Sequence, residues 1–246
     1  MRILQIRVDA CAMEQALEQV LQWLAGYPAP AQMQQIVTLN PEGVMLAIGD
    51  PSLQNIVEQA ALVTADGNGL VWAAERYGFR GLQRLTGIDL MQQLCRLAAE
   101  QGWPVYLLGS KPGVAAAAAE KLQKQYPGLQ IAGTENGYFR DREEQVISAI
   151  QKARPALLFA GLGMPFQEKW LAENAHRLGA AVAMGVGGSF DVICGNLKRA
   201  PQFMQKLRLE WLYRLLQQPS RWRRYLVLPR FMAAVRRDAK KTAKNR

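Results

Sequence analysis

The chain has 246 residues, half of them apolar, and a formal net charge of +10 at pH 7. This length allows one large domain, or one domain with an appendage, around a substantial buried core. There is no run of about eighteen uncharged apolar residues and no apolar signal-peptide region, so we expect a cytoplasmic protein without a bilayer-spanning segment. Three widely spaced cysteines and one histidine, His176, argue against a disulfide framework, a metal site and a histidine-dependent triad.

Short apolar runs alternate with longer amphipathic runs along most of the chain. After an N-terminal strand and a helix over 13–24, strands are predicted at 36–39, 61–65, 104–108, 129–133, 155–160 and 180–184. Strands that alternate with helices of this length indicate a mainly parallel sheet with helices on both faces. We therefore predict a Rossmann-like α/β catalytic core over residues 1–197 and a basic amphipathic helical appendage over residues 198–246.

Glycine or polar clusters follow five of the predicted strands, at Asn40, Asp66, Gly109, Gly161 and Gly185. Ligands of open parallel sheets bind beyond the carboxyl ends of the strands, so we expect these residues to lie close together. Glycines let a phosphate approach the backbone, and the N-terminus of the following helix attracts an anion. The pattern favours a nucleotide.

The glycine turns do not match the standard nucleotide-binding fingerprints. Gly161-x-Gly163-x-x-Phe166 lacks the third glycine of the dinucleotide motif, and no glycine-rich loop ends in Gly-Lys-Ser/Thr. Each turn alone is a weak signal, because most glycines after strands simply form tight turns.

Asp66 is a candidate general base, because it ends a strand and is followed by Gly67. A carboxylate in this position accepts a proton from a substrate hydroxyl if it lies within hydrogen-bond reach. The alternative is that Asp66 caps the next helix. Asp89 and Asp191 are rivals for an acid or base role, with Asp89 favoured as a structural residue on its helix.

Arginines are the candidates for neutralising a leaving group, because the sequence has no Asp-x-Asp motif to hold a divalent metal on a sugar-nucleotide diphosphate. Arg84 is the candidate within the cleft. Arg214, Arg221 and Arg224 are the candidates from the basic appendage. Each of the four is also compatible with an ordinary surface position.

Residues 198–246 hold fifteen lysines and arginines against Glu210 and Asp238, which makes this segment +13 and the remainder −3. Such asymmetry indicates a polyanionic partner. Apolar residues recur in two stripes at helical spacing, with arginines beside them: Phe203, Leu207, Trp211 and Leu215, then Trp222, Tyr225, Leu226, Met232 and Val235.

Bulky apolar side chains flanked by cations are typical of a helix at a lipid headgroup boundary. Core-facing helices with a solvated basic face would have the same pattern, and the two interpretations are equally compatible with it. Nucleic acid is the less favoured polyanion, since no common nucleic-acid-binding signature is present and the rest of the chain is acidic.

Seven motifs in this order resemble the WecG/TagA/CpsF glycosyltransferases over nearly the whole chain. They are Thr38-Leu39-Asn40-Pro41-Glu42, Ala65-Asp66-Gly67-Asn68-Gly69, Arg84-Leu85-Thr86-Gly87-Ile88-Asp89-Leu90, Gly161-Leu162-Gly163-Met164-Pro165-x-Gln167-Glu168, Gly185-Val186-Gly187-Gly188-x-Phe190-Asp191, Lys198-Arg199-Ala200-Pro201 and Leu209-Glu210-Trp211-Leu212-Tyr213-Arg214-Leu215. As a set these motifs are specific.

The resemblance implies an inverting transfer of N-acetylmannosamine from UDP to undecaprenyl-diphosphate-linked N-acetylglucosamine, with neither metal nor cofactor. It implies that Asp66 is the general base and that Thr38, Asn40 and Gln167 surround the donor site. Arg214, Arg221 and Arg224 would belong to an appendage that completes the site at the inner face of the cytoplasmic membrane. The product would enter synthesis of a surface polymer such as teichoic acid.

Two alternatives to this activity remain. One is transfer of the corresponding uronic acid, as in synthesis of the enterobacterial common antigen. The other is a non-catalytic module that binds a nucleotide sugar and docks on the membrane. The expected partners are thus a UDP-sugar, a lipid-linked acceptor and the membrane surface, without nucleic acid; a homo-oligomer is left open.

Overall fold

The computed structural model describes residues 1–28, 32–206, 210–219, 222 and 226–244. The strands in these residues are β1 (Arg2–Ile3), β2 (Ile6–Arg7), β3 (Gln34–Leu39), β4 (Leu62–Ala65), β5 (Val105–Gly109), β6 (Ile131–Glu135), β7 (Leu157–Gly161) and β8 (Val182–Gly185). β1 and β2 form a small antiparallel pair. The other six described strands form one sheet in the order β4-β3-β8-β7-β5-β6, and each neighbouring pair is parallel.

Helices connect the parallel strands, as a parallel sheet requires. They are α1 (Met13–Leu24), α2 (Pro41–Gly49), α3 (Pro51–Gln59), α4 (Asn68–Arg76), α5 (Gly87–Gln101), α6 (Val114–Gln125), α7 (Glu143–Ala153), α8 (Phe166–Glu173), α9 (Ser189–Ile193), α10 (Gln202–Lys206), α11 (Glu210–Gln217) and α12 (Val227–Lys244). A short 3-10 turn, Arg140–Arg142, precedes α7.

Successive strand residues point to opposite faces of the sheet, and both faces are buried. Ile36 and Leu157 pack into a core formed with α1, α5, α6 and α9. Val37 packs on the opposite face with α2, α3 and α4, and Leu158 packs on that same face with α7 and α8. The predicted Rossmann-like α/β fold, with helices on both faces of a parallel sheet, is confirmed.

Helix α12 packs on α2 and α4, on the face of the sheet that contains Val37. Phe231 and Val235 are both fully buried in that core. The hydroxyl of Tyr77 donates a hydrogen bond of 2.7 Å to Asp238 Oδ2. This bond fixes α12 one helical turn beyond Val235. α12 therefore contributes to the core of the fold, while a domain boundary at residue 197 stays a prediction.

Candidate functional site

A large cavity of about 1950 Å³ lies at the carboxyl ends of the strands, where parallel sheets bind their ligands. The loops after β3, β4, β5, β7 and β8 contribute to its wall. So do residues of the basic segment beyond position 197, including Lys198, Arg199 and Glu210. Of the predicted site residues, the cavity lining contains Thr38, Asn40, Asp66, Arg84 and Gln167.

Asp66 follows directly after β4 and is half-buried at the wall of the cavity. Its amide nitrogen donates to the carbonyl of Leu39 at the end of β3, over 2.6 Å, which fixes the residue between the two strand ends. The N-cap of α4 is Gly67, whose φ of 103° suits glycine, and that position has no side-chain cap. Asp66 thus lies one residue before the cap position.

The two rival carboxylates, Asp191 and Asp89, both accept side-chain hydrogen bonds. Asp191 Oδ2 accepts a hydrogen bond of 3.1 Å from the hydroxyl of Ser110, on the opposite side of the cavity from β4. Asp89 lies in the first turn of α5, where Thr86 Oγ1 donates to its Oδ2 over 2.6 Å. The structural role that the sequence favours for Asp89 agrees with these contacts.

The strand-end glycines allow a close approach of the backbone. A Cβ at Gly109, which has a φ of 135°, would lie 2.5 Å from the backbone of Gly161. A Cβ at Gly161 would in turn lie 2.9 Å from the carbonyl oxygen of Gly187. These distances are shorter than a carbon atom tolerates, so the glycines are required for packing the strand ends against each other.

Gln167 joins the two glycine loops that follow β7 and β8. Its Oε1 accepts hydrogen bonds from the amides of Gly163, at 3.0 Å, and Gly187, at 3.2 Å. Its Nε2 donates to Oε1 of Glu168 over 2.8 Å. Gln167 is almost fully buried, and a Cβ at Gly185 would meet it at 2.4 Å. The side chain therefore shapes the cavity wall through both loops.

Glu168 is a carboxyl with 1% exposure behind that wall. Its Oε2 is buried without a hydrogen-bond partner in the described part of the chain. Burial raises the pKa of Glu168 to about 7, although the hydrogen bond from Gln167 opposes the shift. The sequence did not indicate this group, because burial of the second residue in a Gln-Glu pair is not visible in a local pattern.

Thr38 and Asn40 use side-chain oxygens to hold the backbone at the end of β3. Thr38 Oγ1 donates to the carbonyl of Gly185 over 3.0 Å and ties β3 to β8. Asn40 caps α2, with Oδ1 accepting from the amide of Gly43 at 2.9 Å. Both residues line the cavity, so they combine a local structural role with a position suited to contact a ligand.

Two ion pairs connect the core to the basic segment beside the cavity. Arg84 donates to the carboxylate of Glu210 at the start of α11, and its Nε is buried without a described partner. Arg199 forms two hydrogen bonds with Asp89. The sequence indicated Arg84 but missed the position of Arg199, because the partner of each arginine lies more than a hundred residues away in the chain.

The ion pairs affect protonation in the same area. Asp89 is partly buried, which favours its neutral form, but hydrogen bonds from Arg199 and Thr86 lower its pKa. The hydrogen bonds to Asp89 also raise the pKa of Arg199, and the negative charges of Glu210 and Asp66 add to this effect. Arg199 is therefore a permanent cation within the electrostatic range of Asp66.

Of the three predicted tail arginines, Arg221 and Arg224 lie outside the described residues, and Arg214 belongs to α11. In the two predicted apolar stripes, Leu207 and Tyr225 lie outside the described residues, Leu215 is half-buried, and the other residues differ in exposure. Val235 is buried in the core, whereas Phe203, Trp211, Trp222, Leu226 and Met232 are exposed, with 62% exposure at Phe203 and 52% at Trp222.

The described residues contain no group of three or more His, Cys, Asp or Glu side chains arranged to hold a metal ion. His176 is exposed. Within the same residues, no helix is both long and apolar enough to cross a membrane.

Residues 1–245 match the model of the glycosyl transferase WecG/TagA/CpsF family. Three relatives are named N-acetylglucosaminyldiphosphoundecaprenol N-acetyl-beta-D-mannosaminyltransferase. That of Bacillus spizizenii is 38% identical over 85% of this chain and 81% of its own length, and that of Bacillus subtilis 37% identical over 83% and 80%. The relative from Staphylococcus aureus is 34% identical over 98% of this chain and 94% of its own.

Proposed function

The chain belongs to the WecG/TagA/CpsF family of glycosyltransferases, and we propose that it transfers N-acetylmannosamine from UDP to the N-acetylglucosamine of an undecaprenyl-diphosphate-linked acceptor. The observation that carries the proposal is one cavity in which Asp66, several cationic side chains and an apolar wall occur together. A sugar hydroxyl, a diphosphate and a lipid tail need these three environments. The product is a lipid-linked disaccharide for a cell-wall polymer.

The mechanism we propose is a single displacement with Asp66 as the general base. The carboxylate of Asp66 takes the proton of the acceptor's 4-hydroxyl while that oxygen attacks the anomeric carbon of the donor sugar. The new glycosidic bond forms as the bond to the β-phosphate of UDP breaks, and UDP leaves from the opposite face. This geometry inverts the anomeric centre.

The leaving diphosphate is neutralised by fixed cations and backbone donors in this proposal. Lys111, Lys198, Arg140 and Arg199 line the same cavity as Asp66. Preorganised charges of this kind stabilise a developing negative charge without the reorganisation that water would require. We propose further that Arg84, Arg214, Arg221 and Arg224 contribute to binding of the donor or acceptor diphosphate, with Thr38, Asn40 and Gln167 at the donor. The reaction then needs no divalent metal.

Contact with the inner face of the cytoplasmic membrane is the part of the proposal that concerns the basic segment. Large apolar side chains are exposed there among lysines and arginines, at Phe203, Trp211, Trp222 and Leu226. This combination suits the headgroup boundary of anionic lipids, where apolar groups insert and cations remain beside phosphate. Binding to anionic vesicles that weakens with salt, and weakens further in a Phe203→Ser, Trp222→Ser variant, would support this part.

The donor sugar has one specific alternative, the uronic acid of N-acetylmannosamine. Its additional carboxylate would need another cation in the sugar pocket. The relatives are named for N-acetylmannosamine transfer, which favours the neutral sugar.

The test is an assay of the full chain in the presence of EDTA with purified UDP-N-acetylmannosamine and prenyl-diphosphate N-acetylglucosamine. We expect UDP release coupled to formation of a β-linked disaccharide lipid. The uronic acid donor, assayed in parallel, should give little product. Donor binding without transfer of either sugar would contradict the proposed activity, and strict dependence on added Mg²⁺ or Mn²⁺ would contradict the proposed metal independence.

A further inference from the structure

Trp72 lies on α4, one helical turn after the start of the helix that follows Asp66, and its side chain lines the cavity. Two guanidinium groups contact its ring. The Cζ atom of Arg76 is 5.4 Å from the ring centroid, and that of Arg236, on α12, is 5.8 Å away. Both distances lie within the range of a cation–π interaction.

The packing of α12 fixes this arrangement. Phe231 and Val235 are fully buried against α2 and α4, and the hydrogen bond from Tyr77 to Asp238 sets the register of α12 along α4. Arg236 follows Val235 directly and lines the cavity. Its position over Trp72 therefore follows from buried contacts on either side of it.

Arg236 differs in its partner from two other cavity arginines, Arg84 and Arg199, and resembles Arg140, whose guanidinium lies 6.0 Å from the ring centroid of Phe166. Arg84 and Arg199 are each paired with a carboxylate, which occupies some of their N–H groups. Among the ion pairs of the described residues, none involves Arg76 or Arg236. Stacking on a ring orients a guanidinium but leaves its charge and N–H groups available to an anion.

The cavity wall next to Arg236 is apolar. It contains Leu226, directly before α12, and Val227, Leu228 and Met232 of that helix, together with Trp72. Leu226 and Met232 are also exposed at the surface, so the apolar wall continues from the cavity to the outside of the molecule. A ligand with an anionic centre and a long apolar tail has its two chemical parts matched here.

We propose that Trp72 and Arg236 form the acceptor-lipid subsite, in which Arg236 contacts the diphosphate and Trp72, with the start of α12, packs on the first prenyl units. This inference rests on the proposed function. It also gives the direction of the acceptor, with the sugar hydroxyl at Asp66 and the prenyl chain leaving past Met232. Arg76 holds the Trp72 ring in place from α4.

The test compares acceptors that carry the same sugar diphosphate on a short, water-soluble prenyl chain or on a long chain in detergent micelles. For Trp72→Ala we expect the KM of the long-chain acceptor to rise about tenfold, equivalent to ~1.4 kcal/mol. The KM of the short acceptor should rise less, and the KM of the UDP-sugar should not change. Trp72→Phe should restore most of the affinity, because an apolar ring remains.

Arg236→Ala should raise the KM of both acceptors, because both carry the diphosphate. The matched control is Arg237→Ala, which removes an exposed arginine next in the same helix, outside the cavity lining; its kinetics should equal those of the unchanged chain. Thermal unfolding of each variant checks that α12 remains docked.

Unaltered acceptor KM values in Trp72→Ala and Arg236→Ala, with normal product from the unchanged chain, would overturn the subsite alone. The subsite would also be overturned if the two variants lost binding to acceptor-free vesicles to the same extent as they lost binding to the acceptor. The bilayer itself would then be the ligand. Absence of product from the unchanged chain would overturn the proposed function and the subsite together.

Discussion

The guanidinium of Arg199 donates to both carboxylate oxygens of Asp89, with N–O distances of 2.7 and 2.8 Å. Asp89 belongs to α5 of the sheet region, and Arg199 belongs to the basic segment beyond position 197. A bidentate pair of this kind fixes direction as well as distance. It places the start of the basic segment at the edge of the cavity that contains Asp66.

A double-mutant cycle measures this pair. We expect Asp89→Ala and Arg199→Ala to lower the free energy of unfolding non-additively, with a coupling energy of ~1 kcal/mol, because both side chains are about one-third exposed and solvent screens them. Urea unfolding of the four proteins gives the coupling. Additive effects would mean that the contact does not stabilise the fold.

Asp66→Asn should strongly lower turnover while leaving nucleotide binding intact. Loss of a general base costs about 10²- to 10⁴-fold in rate, and the amide keeps the size of the carboxylate. We would measure kcat for disaccharide formation and the Kd for UDP. Asp191→Asn removes the rival carboxylate bonded to Ser110 and should lower kcat much less. The reverse ranking would transfer the role of base to Asp191.

Glu168→Gln should stabilise the protein at alkaline pH. Below pH 4.5 the carboxyl is protonated in both the folded and the unfolded chain. Between pH 4.5 and about 7 it ionises first in the unfolded chain, since its folded pKa is about 7, so the free energy of unfolding falls as the pH rises. Above pH 7 the cost is constant, up to ~3 kcal/mol for a buried carboxyl shifted this far.

The glutamine variant has no such dependence, and its Oε1 can still accept from Gln167. We therefore expect its advantage in unfolding free energy to grow from near zero at pH 4.5 to a plateau above pH 7. Chemical denaturation at a series of pH values measures the difference. A difference that is independent of pH would show that the pKa of Glu168 is not raised in the folded protein.

Phe231→Ala and Met232→Ala form a matched pair on α12. Phe231 is fully buried with α2 and α4, so its truncation should cost ~3–5 kcal/mol of unfolding free energy. Met232 has 36% exposure, and its truncation should change stability by no more than ~0.5 kcal/mol. Thermal and urea unfolding distinguish the two; equal effects would contradict the packing of α12 described above.

Much of the fold could be predicted from periodicity. The helix expected over 13–24 is α1 (Met13–Leu24), because Ala16, Val20 and Leu24 repeat at a spacing of four and all three are buried. The strand expected over 129–133 is instead β6 (Ile131–Glu135). β6 is an edge strand with partly exposed residues, so it has a weaker apolar pattern from which to locate its ends.

The candidate site was predictable to the extent that strand ends determine it. Thr38, Asn40, Asp66, Arg84 and Gln167 do share one cavity, because the carboxyl ends of parallel strands meet. Partners could not be predicted, since they depend on which distant segments touch. Arg84 with Glu210, and the cation–π contacts of Trp72, are contacts of that kind.

The packing of α12 into the core has a consequence for synthesis of the protein. Phe231 and Val235 complete a core formed by β3, β4, α2 and α4, yet the ribosome makes them after every strand of the parallel sheet. Until α12 emerges, the nascent chain exposes the apolar surface that these two residues later cover, and such surface attracts chaperones or aggregates. A messenger truncated before codon 231 should therefore yield a product that the cell degrades.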